Sequence, residues 1–326
     1  MDETMEKIKR KYGDIPTIYV KMFGDMYLDM RGLRKWPIPE IAVVCTAITG
    51  SFIDKRQNPN QPITNDEILK ESTDCIEAGA TAIHLHVRDE KTGLAVGDVA
   101  SYRKVIDPIR KKYGDKVVID GSCALGEAFE AQVAPVTEGL FESTEVMPFG
   151  AYAGDTVRYL APKQVQAAAE YFRDKGVKVQ VGIQDTGNID NARRWLIDTD
   201  ILQKPYYWHI FAGLPGGLCM QTPGTMVKSL DLMVNALKEI DENCLITVYS
   251  AGRASIYVTT LALLMGLHVR VGMEDTIWRY PHRDDLLPNN IQVTKDICQI
   301  VRLLGRRVAT ADEYRKLMGL KKKQKP

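Results

Sequence analysis

The chain has 326 residues, 45% of them hydrophobic, enough apolar material for one large domain or two ordinary ones. Its 43 Lys and Arg nearly balance 42 Asp and Glu, which leaves no broad basic surface for a nucleic-acid backbone and excludes nucleic acid as a main partner. No run of about 18 apolar residues is present, and the charged opening "MDETMEKIKRKYGDIP" lacks an apolar signal segment, so the expectation is a cytoplasmic protein with no membrane partner.

Taken in chain order, residues 1–39 come first, with "MYLDMRGLRKWPIPE" rich in Met, Trp and Pro. They are expected to form an N-terminal extension, an arm that packs on the main domain or on a neighbouring subunit. From residue 41 onward short β-branched runs alternate with helix-like stretches. The strand candidates are 41–48, 82–87, 116–120, 143–147, 177–183, 207–213, 245–250 and 268–272. The first helix, "TNDEILKESTDCIEAGA", opens with Thr64 and Glu67 at capping-box spacing and stops at Gly79.

Eight strand and helix cycles match the length of a (β/α)₈ TIM barrel, about 250 residues plus insertions. The barrel is expected over 40–320, with 321–326, "KKKQKP", as a solvated basic tail. An open doubly wound sheet is the alternative, but no G-x-G-x-x-G follows the first strand. Cys45, Cys75, Cys123, Cys219, Cys244 and Cys298 form no C-x-x-C pair and receive no chemical role.

The stretch "AIHLHVRD" sets His84 and His86 two apart, on one face of a strand, with Ile83, Leu85 and Val87 on the other. In a barrel this sends the imidazoles inward, near the C-terminal rim where barrel active sites are built. Two imidazoles on one face are either packing residues or the start of a zinc or other divalent-metal site. The last strand runs into "HVRVGMEDTIW", where Glu274 can complete a His₂Glu set across the rim, or simply cap a loop. Arg270 falls on the inward face and needs an anionic partner, either Asp275 or a substrate carboxylate. An Asp held by an Arg suits a catalytic base.

Other polar residues expected to point inward at strand ends are Asp120, Ser122, Thr144, Asp185, Ser250 and Arg253, each of which is equally able to cap the next helix. "AGLPGGLCMQTPG" offers Pro215, Gly216 and Gly217 as a tight turn or as backbone that approaches a ligand. His209 and His282 have no partner at ligand spacing, and His209 reads as packed in a strand.

The ordered series "TAITG", "QPIT", "EAGATAIHLHVRDEKTG", "GLPGG", "LHVRVGMEDTIW" and "LGRRVATADEYRKLMGL", over residues 41–320, resembles the β-keto acid cleavage enzymes. The resemblance implies a zinc-dependent barrel, homo-oligomeric as a dimer or tetramer, that condenses a β-keto acid with acetyl-CoA and releases acetoacetate and a new acyl-CoA. It implies His84, His86 and Glu274 as metal ligands and Arg270 with Asp275 as the proton-removing pair. It further implies that Phe52, Asp120, Ser122, Thr144 and Asp185 meet the acid, and that Gly216, Gly217 and Arg253 meet CoA.

Departures from the family pattern narrow the substrate. Phe52 in "TGSFID" stands where the 3-keto-5-aminohexanoate enzyme carries a glutamate, and a phenyl ring cannot replace a carboxylate as a salt-bridge partner. The acid is therefore expected to differ from 3-keto-5-aminohexanoate. The family's asparagine after the fourth strand aligns with Val146, Thr144 keeps its threonine, and its strand-five glutamate aligns with Gly182, leaving Asp120 or Asp185 to substitute. Two further readings stay open: a metal-dependent aldolase, decarboxylase or hydrolase without CoA, and a non-catalytic barrel with a decayed site.

Overall fold

The computed structural model describes residues 2–15, 30–123, 126, 128–153, 156–158, 160–213, 218 and 220–320. Two compact units emerge, Met1–Ile38 and Pro39–Pro326. In the first, the helix Glu3–Tyr12 starts at Asp2, whose carboxylate accepts from the Thr4 amide, and ends in a basic turn that complements the helix dipole.

The second unit is a closed eight-stranded barrel. Its strands are β1 (Val44–Ala47), β2 (Ala82–Leu85), β3 (Val118–Gly121), β4 (Ser143–Val146), β5 (Lys178–Ile183), β6 (Tyr207–Ala212), β7 (Leu245–Ser250) and β8 (His268–Val271). Every neighbouring pair is parallel, and β8 closes on β1 with Arg270 beside Cys45. All eight expected strands are present, and closure rules out the open doubly wound sheet. The first expected strand is shorter than its apolar run, because Ile41–Ala42 pairs with Arg307–Val308 outside the barrel.

Strand parity sorts the side chains. Ile83, Leu85, Ile119, Val181, Ile183, Ile210, Val248 and Val269 face the helices and are fully buried, each contributing about 1.5–3 kcal/mol by leaving water. The helix Asn65–Glu77 begins with the expected capping box between Thr64 and Glu67.

The N-terminal end of the barrel is plugged. Tyr314, from the helix Ala311–Leu317, bonds the Tyr207 hydroxyl at 2.6 Å, and Tyr207 also meets Thr247 Oγ1 at 2.9 Å. Beside it the buried Glu142 accepts from Arg315 at 2.6 and 3.1 Å and from Arg110 at 2.6 Å. Burial by itself would push the Glu142 carboxyl up, but the two guanidiniums outweigh it and hold the group below its ordinary value. The opposite end, where the strands finish, holds a cavity.

Candidate active site

His84 lies on β2 and His86 one residue beyond its end, so the strand's alternation carries both imidazoles to the same side. Glu274 reaches them from the turn after β8, its Oε1 standing 3.3 Å from both His84 Nε2 and His86 Nε2. The donor atoms of the three residues lie within 4.8 Å of one another. Gly50, at φ +63°, makes this approach possible, since a Cβ there would collide with Cγ of Glu274.

Each imidazole is held from behind. His84 Nδ1 bonds Asp120 Oδ2 at 2.7 Å, and His86 Nδ1 bonds Ser51 Oγ at 3.0 Å. Asp120 is itself fixed by the Ser143 hydroxyl at 3.0 Å. Engaging both Nδ1 atoms leaves both Nε2 atoms turned to the common centre, the arrangement by which metal ligands are oriented. Glu274 Oε2 is buried with no hydrogen-bond partner among the described residues. Two nitrogens, a carboxylate and this orphaned oxygen form a donor set that fits a divalent cation.

Arg270 stands beside the cluster. Its Nε donates to Asp275 Oδ2 at 3.0 Å, and one Nη donates at 2.6 Å to both Asp275 Oδ1 and Glu274 Oε1. The guanidinium lies 4.2 Å from the centre of the Tyr249 ring. Burial pushes the Asp275 carboxyl up to about 6; Arg270 opposes this, and the Glu274 charge reinforces it. For Glu274, burial is overcome by Arg270 and the two imidazoles, which hold it well below the usual carboxylate range. For His84, burial alone would lower the ring's affinity for a proton, yet the Glu274 and Asp120 charges raise it.

These groups open on one cavity whose walls include Ser51, Phe52, Ser122, Glu145, Phe211 and Tyr249. Phe52 is at its mouth, 60% exposed.

A sequence profile described as beta-keto acid cleavage enzyme matches residues 42–320. The chain belongs to the β-keto acid cleavage enzyme family. It is 31% identical over 287 residues to the 3-keto-5-aminohexanoate cleavage enzyme of Fusobacterium nucleatum, an alignment covering 87% of this chain and 99% of that one. It is 24% identical over 306 residues to the 3-dehydrocarnitine:acetyl-CoA trimethylamine transferase of Rhizobium meliloti, covering 87% and 98%. It is 26% identical over 290 residues to the 3-oxoadipate:acetyl-CoA acetyltransferase of Cupriavidus necator, covering 85% and 94%. Among solved structures, a ternary complex of ObcA with a C4-CoA adduct and oxalate superposes with a TM-score of 0.65 at 18% identity, over 80% of this chain and 68% of that one, a likeness of fold.

In this member of the family, His84, His86, Glu274, Arg270, Asp275, Ser122 and Phe52 come together at the cavity. Four of the expected residues make other contacts. Asp120 does not line the cavity; its carboxylate is spent on His84 and Ser143. Thr144 is on the other face of β4, fully buried, its hydroxyl donating to the Gly121 carbonyl at 2.7 Å. Asp185 caps the helix Thr186–Ala192, accepting from the Asn188 amide at 2.9 Å. Arg253 stacks on Trp278 at 3.9 Å and pairs with Asp284 at 2.6 Å, away from the cavity wall. Pro215, Gly216 and Gly217 lie outside the described residues, as does the Ser250 side chain.

The space beside Gly182, where the resemblance puts the family's strand-five glutamate, is taken by Glu145 on β4, whose Oε1 occupies the place a Cβ on Gly182 would fill. Its carboxylate accepts from the Tyr249 hydroxyl through both oxygens, at 3.0 and 3.2 Å. Strand parity read from Ser143 rather than Thr144 finds it, because residues 143 and 145 share the inward face. His209 is packed on β6, with its ring edge-on to Tyr207 and Tyr249.

Proposed function

We propose that this protein is a metal-dependent β-keto acid cleavage enzyme that condenses a β-keto acid with acetyl-CoA and yields acetoacetate and a new acyl-CoA. The observation that carries the reading is the His84–His86–Glu274 set beside a doubly bonded Arg270–Asp275 pair in a single cavity. Those three residues would hold a divalent ion, zinc in this reading, which would supply Lewis-acid stabilisation of enolate charge.

Asp275, aligned by Arg270, takes the proton from C2 of the acid, and the C2 electron pair forms a carbon–carbon bond to the thioester carbonyl of acetyl-CoA, whose C–S bond breaks and releases the CoA thiolate. The CoA thiolate then bonds to the acid's original keto carbon. Cleavage of the C2–C3 bond leaves the new acyl-CoA and an acetoacetate carbanion, to which Asp275 returns the proton. The buried setting of Arg270 and Asp275 excludes water from the enolate and keeps the pair's geometry fixed. Phe52 at the mouth offers the side chain of the acid no ion-pair partner, which favours an acid other than 3-keto-5-aminohexanoate.

A panel of β-keto acids offered with acetyl-CoA, with acetoacetate measured, tests the reading. At least one acid should give acetoacetate, and Asp275→Asn should retain its metal while losing roughly 10²- to 10⁴-fold in turnover. Loss of the acids without acetoacetate or any need for CoA would overturn it in favour of an aldolase or decarboxylase. Full activity in Asp275→Asn would remove its assignment as the base.

A further inference from the structure

Glu145 has no part in the metal cluster and no part in the proton transfer just described, yet it is the product of a specific accommodation. Its side chain leaves β4, crosses the position that a β5 side chain would fill, and finishes against Tyr249 on β7. The crossing requires that residue 182 have no Cβ. The side chain is only 6% exposed, and a carboxylate removed from water in this way must be compensated by what it touches. Its hydrogen-bond donor is the Tyr249 hydroxyl, shared between both oxygens, with His209 Nδ1 farther off at 3.6 Å.

The other side of that contact is the Arg270 guanidinium on the Tyr249 ring. Tyr249 is 1% exposed and also stacks on Phe211, with centroids 4.5 Å apart and planes at 28°. A phenol that donates to a carboxylate gains electron density in its ring, which strengthens the ring's attraction for a cation. The same hydrogen bond fixes the rotation of the ring. Arg270 in turn sets Asp275 through two hydrogen bonds. Four side chains from β4, β7, β8 and the turn after it are thus connected through contacts of stated length.

We propose that Glu145 is a positioning residue for the Arg270–Asp275 pair: its carboxylate, passing over Gly182, fixes the Tyr249 ring on which the guanidinium rests. This rests on the reading of Arg270 and Asp275 as the proton-transferring pair.

Three variants test it on the metal-loaded enzyme. Glu145→Gln keeps the shape and removes the charge, Tyr249→Phe keeps the ring and removes the hydroxyl, and the double variant combines them. Each single variant should lower kcat about tenfold with little change in KM for acetyl-CoA, and the double variant should be no worse than Tyr249→Phe alone. A purely structural role would instead move melting temperature and KM and leave kcat at the wild-type level. Gly182→Ala gives a second route: it should reproduce the loss by displacing the carboxylate, and add nothing to the loss caused by Glu145→Ala, which empties the space.

Crystal structures of the single variants read the Arg270 side chain directly, independent of turnover. A displaced guanidinium supports the proposal even if the wild type makes no acetoacetate, a result that would count against the parent reading alone. An unmoved Arg270, or wild-type kcat in Glu145→Gln, overturns it.

Discussion

At the N-terminal end of the barrel, Glu142 receives three charge-assisted hydrogen bonds through both oxygens from Arg315 and Arg110, and the Tyr207–Tyr314 pair closes the mouth. At the C-terminal end, Glu274 shares Arg270 with Asp275, points one oxygen at two imidazoles and leaves the other buried with no partner among the described residues. Both carboxylates are held below their ordinary range by arginine, so the difference is not charge but completeness. A satisfied buried carboxylate contributes to stability. An unsatisfied one, costing about 1–3 kcal/mol per orphaned group, marks a place where a ligand supplies what the chain does not.

The largest effect that would break this comparison is at the open end. His84→Ala and Glu274→Gln should each abolish metal retention, measured by elemental analysis of the purified protein, and turnover with it. Stoichiometric metal in either variant would remove these residues from the ligand set. Asp120→Asn should do less, weakening metal affinity by roughly 10- to 100-fold in a chelator competition, because the amide still accepts from His84 but no longer with a full charge. Unchanged affinity would make the 2.7 Å contact a packing detail.

At the closed end, Glu142→Gln should cost about 3 kcal/mol of unfolding free energy and leave metal content intact. This cost has a direction in pH. Burial raises the Glu142 carboxyl and the two arginines more than reverse it, so the folded group sits below its unfolded value. Its stabilisation is complete above the unfolded carboxylate range and is lost as pH falls through the depressed folded value. The melting gap between wild type and Glu142→Gln should therefore be constant near neutrality and close in acid. A gap that persisted in strong acid would mean that shape, and not charge, makes the contact.

The barrel is legible because eight β-branched runs alternate with helices, and the shared side of His84 and His86 and the inward face of Arg270 are legible because parity within one strand is a local property. Asp120 and Asp185 are ambiguous in the sequence for a shared reason: a polar residue at a strand end has the same signature whether it meets substrate, orients a ligand or caps a helix. Thr144 and Glu145 differ by one residue, and a one-residue slip in parity exchanges the lumen for the helix layer. The relation between Glu145 and Gly182 joins two strands 37 positions apart and shows itself only when both are placed.

Three consecutive residues after β1 divide the labour at the open end: Gly50 makes room for Glu274, Ser51 steadies His86, and Phe52 faces the mouth. For anyone re-engineering the pocket, this loop is a modular part with one interchangeable face. Residue 52 can be varied as a single graft to change what the cavity admits, whereas transplanting the whole loop also replaces the fittings that align the donor set. Libraries built at 52 alone should yield altered preference in protein that still loads its metal, and libraries spanning 50–52 should yield mostly empty barrels.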